Sequence, residues 1–259
     1  MAMRPVLARP WVHLPNVNDL SHTPVWLSPQ QKAYAAELFS KNINAHPVLV
    51  ADNLHRMKSP TPQVAFVGRS NVGKSTLLNM LLHGRPDPLG GKYLSENKKL
   101  KMPIAAPVSH KPGRTRHLFR FELGSQLTLV DLPGYGYASA PRGARESWSQ
   151  LVEDYFGQVR QLHRVVSLVD AVVGVKASDE QLWQMLHDGQ HQVMVVLTKV
   201  DKVSPQGLHS AMAQVVAALQ QMDEACVWPY VHAVSGALGH GVDDLRASLS
   251  AVASDHRSR

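Results

Sequence analysis

The stretch richest in chemistry is Gly68-Arg69-Ser70-Asn71-Val72-Gly73-Lys74-Ser75, which follows the apolar run Val64 to Val67 and leads into STLLNMLL. Glycines at Gly68 and Gly73 let backbone N–H groups, those of Ser70, Asn71 and Val72 among them, close around phosphate oxygens. A helix starting here turns the positive end of its dipole to the same place. Lys74 is spaced to reach the β and γ phosphates, and the Ser75 hydroxyl to meet magnesium. A plain strand-to-helix turn is the alternative, and the segments downstream decide against it.

Asp131-Leu132-Pro133-Gly134 closes the apolar run LTLV. A carboxylate there can hold magnesium through water, and the Gly134 N–H can sense a γ-phosphate. Thr115 lies in the preceding loop, where a switch segment would bring a hydroxyl to the metal. Thr198-Lys199-Val200-Asp201 ends another apolar run, QVMVVL. A buried carboxylate at Asp201 accepts from the N1–H and amine of guanine, whereas adenine lacks both donors and would leave the charge unpaired. The stem of Lys199 can lie along the base. Ser235-Gly236-Ala237 can present a backbone N–H to guanine O6. A lone Lys-x-Asp pair is ordinarily a solvated surface pair. In this order, after a phosphate loop and an Asp-x-x-Gly, it reads as a guanine selector, with GTP or GDP and magnesium as ligands.

These residues need a sheet to align them. From Gln63 onward, apolar runs of strand length (63–68, 117–123, 127–131, 164–170, 192–198, 227–234) alternate with amphipathic stretches (74–83, 143–158, 179–188, 205–222, 241–253). That alternation predicts an α/β domain built on a mainly parallel six-stranded sheet with helices on both faces. Only Gly124-Ser125-Gln126 links two of the runs, so one edge strand is expected to be antiparallel.

Ahead of it, residues 1–28 hold Pro5, Pro10, Pro15 and Pro24, with Arg4 and Arg9 and no acid before Asp19. This reads as a basic leader in the manner of a transit segment, with folding expected to begin near Ser28. Residues 29–60 follow as a helical extension started by Ser28-Pro29, residues 61–253 as the nucleotide-binding domain, and 254–259 as a tail. The segment from His83 to Arg116, with five prolines and the basic cluster Lys98, Lys99 and Lys101, is too long for a passive connection.

A chain of 259 residues, 44% hydrophobic and 18% charged, has material for one good core and is not disordered throughout. The formal charge of +7 favours anionic partners, nucleic acid first among them. Cys226 is the sole cysteine, which excludes an internal disulfide and a cysteine-built zinc site. No run approaches the length needed to cross a bilayer, and no membrane partner is expected.

Together the segments GRSNVGKSTLLN, KPGRT, DLPGYGYA with Pro141 and Trp148, the pair Asp170 and Asp179, TKVDK, and SGALGHGVDDLR resemble those of the EngB GTPases, also called YihA or YsxC. The likeness spans about residues 60 to 250. It implies a P-loop GTPase fold and a slow GTP hydrolase that assists assembly of the large ribosomal subunit, with its rRNA and ribosomal proteins as partners. No DNA partner is expected, and a single switch domain has no need to pair, so a monomer is expected when free. Carried over by residue, the likeness implies that Asn71, Gly73, Lys74, Ser75 and Thr76 bind phosphates and that Ser75 and Thr115 ligate magnesium. Asp131 and Gly134 then serve the second switch, and Thr198, Lys199, Asp201 and Ser235 hold guanine. Lys74, Asn71, Thr115 and Gly134 are the groups it places nearest the reaction, with Asn71 a candidate to recruit potassium.

The sequence departs from that pattern in three places: Val172 stands where an arginine is usual, Gly236 replaces the second serine of a pair, and residues 85–108 are inserted. Tyr135 also occupies the position where signalling GTPases carry a water-orienting glutamine. Insertion, basic Pro-rich leader and extended tail together suggest an organellar member in the mitochondrial matrix, the cytoplasm being the alternative. Lys98, Lys99, Lys101, Lys111, Arg114, Arg116 and Arg120 are candidate contacts to RNA phosphates. The competing function is a nucleotide-binding RNA scaffold with little or no hydrolysis.

Overall fold

A computed structural model describes residues 8–14, 16–40, 43–49, 60–84, 117–135 and 142–257. In chain order the elements are β1 (Trp11–His13), α1 (Pro29–Ser40), β2 (Ile43–Leu49), β3 (Gln63–Gly68), α2 (Lys74–His83), β4 (His117–Leu123) and β5 (Leu127–Asp131). They continue as α3 (Arg142–Gln158), β6 (Leu162–Asp170), α4 (Ala177–Asp188), β7 (Val193–Thr198), α5 (Pro205–Leu219), β8 (Tyr230–Ala233) and α6 (Val242–Arg257).

All eight strands form one sheet in the order β1-β8-β7-β6-β3-β5-β4-β2. The centre, from β5 through β3, β6 and β7 to β8, is parallel. Its strands are apolar almost without interruption because both faces are covered. Along β3, Ala65 and Val67 enter one core with Tyr155 of α3, Trp183 of α4 and Met212 of α5. Val64 and Phe66 enter the other with Leu38 of α1, Leu78 of α2 and Leu245 of α6. Period-two alternation along one strand thus feeds both layers. The cap of α5 is local: Pro205 occupies its first turn and the Ser204 hydroxyl accepts from the Gly207 N–H at 3.2 Å.

Two edge strands extend the expected six. β4 pairs antiparallel with β5 through the Gly124–Gln126 link, as expected, but it is not the edge. β2 covers it, antiparallel from Ile43↔Leu123 to Leu49↔His117. Residues 43–49, anticipated within a helical extension, are therefore strand, and Pro47 is tolerated because an edge strand leaves one side of its backbone unpaired.

At the other edge β1 pairs antiparallel with β8, so folding does not begin at Ser28. Trp11 and Trp26 are buried with Tyr230, Ala247 and Ala251, their rings 5.4 Å apart and edge to face. The prolines of the leader flank this packed segment, and burial of two indoles outweighs their disruption of local structure. No helix among the described residues is long and apolar enough to cross a membrane.

Candidate functional site

The carboxyl ends of β3, β5, β6, β7 and β8 lie along one edge of the sheet, and each is followed by a segment singled out in the sequence. After β3 the chain takes left-handed conformations at Asn71 (φ 65°) and Gly73 (φ 98°) and enters α2 at Lys74. The first turn of α2 therefore points its free N–H groups into the loop. Lys74 Nζ contacts Asp131 Oδ1 at the end of β5, and both side chains are largely buried. One cation and one carboxylate are thus held where phosphates and their metal would meet.

The second switch segment is built onto the phosphate loop. Tyr135 forms a parallel bridge with Arg69: its N–H donates to the Gly68 carbonyl at 3.2 Å and its carbonyl accepts from the Ser70 N–H at 2.9 Å. Gly134 is thereby pressed onto the loop, for a Cβ there would lie 3.3 Å from the Gly68 carbonyl oxygen and 3.4 Å from Ser70 N. A side chain at this position would push against the loop backbone, so glycine suits the close approach of the two segments.

The base-reading segments are tied to the same loop. Thr198 is buried, and its hydroxyl donates to the Val72 carbonyl at 2.6 Å. Lys199, left-handed at φ 57°, places Nζ 2.5 Å from the Asn71 carbonyl oxygen and 2.6 Å from Asp170 Oδ2. Both residues thus support the phosphate loop from below, and the lysine stem lies beside Gly73.

Asp201 lies in the turn Val200–Lys202 and is exposed. This corrects the expected buried carboxylate: β7 ends at Thr198, and the left-handed Lys199 turns the chain outward. Ser235 is buried, its N–H donating to the His240 carbonyl at 3.0 Å and its Oγ accepting from the Leu238 N–H at 3.1 Å. The turn is therefore self-supporting, and Gly236 packs so closely on α2 that a Cβ would lie 3.0 Å from Leu77 Cα and N. A serine at this position would need that backbone to give by a few tenths of an ångström.

Ser75 and Thr76 sit in the first turn of α2. Magnesium takes hard oxygen donors and keeps several waters, and the Ser75 hydroxyl with the buried Asp131 carboxylate fits that preference. Thr115, the inserted residues 85–108, Pro141, and the basic residues Lys98, Lys99, Lys101, Lys111, Arg114 and Arg116 lie outside the described residues. Arg120 is described and pairs with Glu122 at 2.9 Å, its side chain mostly covered.

One group had no role assigned from the sequence. Asp179 in α4 is fully buried and accepts from Arg69 Nε, the Tyr135 hydroxyl and the Lys176 N–H. Its position in the first turn of an acid-started helix was the available sign.

Residues 63–199 match the family model described as 50S ribosome-binding GTPase. A protein described as the probable GTP-binding protein EngB of Gluconobacter oxydans is 36% identical over 192 residues, covering 74% of this chain and 76% of that one. Its counterpart in Granulibacter bethesdensis is 40% identical over 190 residues, covering 73% and 76%. That of Rhizobium meliloti is 34% identical over 236 residues, covering 86% and 97%.

The chain belongs to the EngB family of GTPases.

A crystal structure of a probable EngB shares the fold at 21% identity, with a TM-score of 0.52 over 74% of this chain and 99% of that one. Era crystallised with MgGDPNP and nucleotides of 16S ribosomal RNA shares it at 20% identity, with a TM-score of 0.52 over 75% and 57%. The architecture is accordingly the P-loop GTPase fold. Family and fold together make the chain a GTP-binding enzyme that hydrolyses GTP to GDP and phosphate.

Proposed function

We propose that the chain is a slow GTP-dependent switch that assists assembly of the large subunit of a bacterial-type ribosome, contacting its rRNA and ribosomal proteins. The support is the family model's ribosomal large-subunit description, joined to the +7 charge and to the basic residues flanking the first switch. Phosphates settle on the loop N–H groups, Lys74 lies beside them, and water attacks the γ-phosphorus while the bond to the β-phosphate oxygen breaks, giving GDP and inorganic phosphate. Bound magnesium would neutralise phosphate charge, held by Ser75 and Asp131.

One observation carries the slow rate. Tyr135, at the position of a water-orienting glutamine, turns its hydroxyl away to Asp179 at 2.8 Å and is buried. Orientation of the attacking water then falls to a second cation or a partner group. Potassium, recruited by Asn71, is the cation proposed, and the ribosomal precursor is the partner.

The acid-poor leader points to the mitochondrial matrix. Bacterial relatives and the burial of Trp11 and Trp26 favour the cytoplasmic alternative, since removal of residues 1–28 would strip β1 from the sheet. A bacterial-type large subunit is the particle common to both.

The test is binding of the full chain to purified large- and small-subunit precursors, bacterial and mitochondrial, with GTP, a non-hydrolysable analogue, GDP or ATP, and turnover in potassium against sodium. Analogue-dependent retention on large-subunit precursors supports the reading, and the particle source identifies the compartment. Retention on no particle, or on small-subunit precursors alone, overturns the ribosomal assignment. Equal turnover in the two salts removes potassium.

A further inference from the structure

Arg69 and Tyr135 meet twice. Their backbones pair as a parallel bridge between the phosphate loop and the second switch, and their side chains converge on one carboxylate. Arg69 Nε lies 3.1 Å from Asp179 Oδ2, and the Tyr135 hydroxyl donates to Asp179 Oδ1 at 2.8 Å. Asp179 is also fixed by the Lys176 N–H at 2.8 Å, at the start of α4. Arg69 is held independently by the Gly174 carbonyl at 2.8 Å, in the loop that follows β6. Behind Tyr135, Ser167 of β6 bonds to its hydroxyl and accepts from Trp183 Nε1 at 2.8 Å.

We infer that Asp179 is a positioning residue for GTP: its buried carboxylate, shared by Arg69 and Tyr135, locks the γ-phosphate sensor Gly134 in register with the phosphate loop.

A carboxylate wholly removed from water persists only with charge and hydrogen bonds around it, and here every partner comes from a different segment: the phosphate loop, the second switch and the entry to α4. Burial, and then the Asp179 charge, push the Tyr135 phenol well above its ordinary range, so it remains a donor. Gly134 is the residue immediately before Tyr135 and rests on Gly68 and Ser70. Release of the tyrosine side chain leaves Gly134 held by backbone bonds alone. On the proposed reading of the site, Gly134 meets the γ-phosphate and not the β-phosphate, so the lock acts on GTP and not on GDP.

Tyr135→Phe in the full chain deletes one hydroxyl and preserves the ring in its core. The expected result is a loss of about tenfold in affinity for a non-hydrolysable GTP analogue, the worth of one buried charge-assisted hydrogen bond. GDP affinity should stay within about twofold, since its phosphates rest on the loop alone. Asp179→Asn should lower the same ratio, because one amide oxygen cannot serve Arg69, Tyr135 and the Lys176 N–H as two carboxylate oxygens do. Unchanged affinity for the analogue in Tyr135→Phe, or an equal loss for analogue and GDP, overturns the inference. If Asp179→Asn does not fold, the affinity ratio of Tyr135→Phe decides alone.

Discussion

The hydroxyl of Thr198 donates to the carbonyl oxygen of Val72 at 2.6 Å, fastening the end of β7 to the phosphate loop. Lys199 repeats the attachment one residue on, reaching the Asn71 carbonyl and Asp170 together. The residues that read from the sequence as guanine contacts are therefore also the floor of the phosphate site. The segment expected to read the base and the phosphate loop are thus fastened together, and Asp201, exposed in the turn that follows, is the group proposed to select the base.

Asp201→Asn isolates the selector. The residue is exposed, so stability should change by no more than about 0.5 kcal/mol. Affinity for GTP should fall about 100-fold or more, because an amide offers only one acceptor to the two guanine donors. A nucleotide with oxygen in place of the guanine amine should bind better than to wild type, since the amide supplies the donor it needs. Competition binding with GTP and xanthosine triphosphate checks both directions.

Gly236→Ala probes the seam between the β8 turn and α2. A Cβ 3.0 Å from Leu77 Cα and N forces backbone to move, at a cost of about 1–3 kcal/mol. Because that backbone belongs to the helix carrying Lys74 and Ser75, thermal melting and GTP affinity should fall together. A variant as stable as wild type would mean the turn has room to relax.

Trp26→Ala probes the N-terminal segment. The indole is 3% exposed and packs edge to face on Trp11 and on Tyr230, the latter at 5.3 Å. Its removal should cost about 3–5 kcal/mol in denaturant unfolding. A loss below about 1 kcal/mol would show the segment to be an appendage.

Acid should loosen the same edge of the sheet. Burial, and then the charge of Arg164, push His232 down to about 3. Burial, then His22 and Arg9, also lower His13, whose ring stacks on His22 at 3.7 Å. A histidine with a depressed folded pKa binds more protons when unfolded. Its stability contribution is thus intact above the unfolded value near 6.5 and is lost as pH falls below it. His232 alone should cost about 2 kcal/mol between pH 7 and pH 5. His232→Leu should flatten that part of the decline in urea melts at the two pH values, whereas an unaltered pH dependence would exclude His232 as its source.

The six central strands and the five helices packed on them are legible because apolar runs alternate with amphipathic stretches, β3 and β7 as unbroken apolar runs, although of the run 227–234 only Tyr230–Ala233 is strand. The strands β1 and β2 are not. Trp11–His13 is too short to show a period, and in INAHPVL the alternation of Ile43 and Ala45 with Asn44 and His46 is cut short by Pro47, which argues against a strand; both are fixed by pairing with distant strands. Among candidate site residues, the placement of Lys74 at the start of α2 and beside Asp131 is legible because the spacing of a phosphate loop dictates it. Asp201 was misjudged as buried because strand ends show in sequence while the left-handed turn at Lys199 does not. The sharing of Asp179 between Arg69 and Tyr135 was invisible for the same reason: it joins positions 69, 135 and 179 only through the crossing of three strands.

Phosphate release by the full-length chain, with GTP or ATP and with Lys74→Ala as control, tests the guanine-nucleotide enzyme most directly. The expected result is slow release from GTP, none above background from ATP, and loss of the GTP signal in Lys74→Ala. Equal release from ATP, or a GTP rate indifferent to Lys74→Ala, would contradict the assignment of Lys74 and Asp201 to a GTP-hydrolysing site.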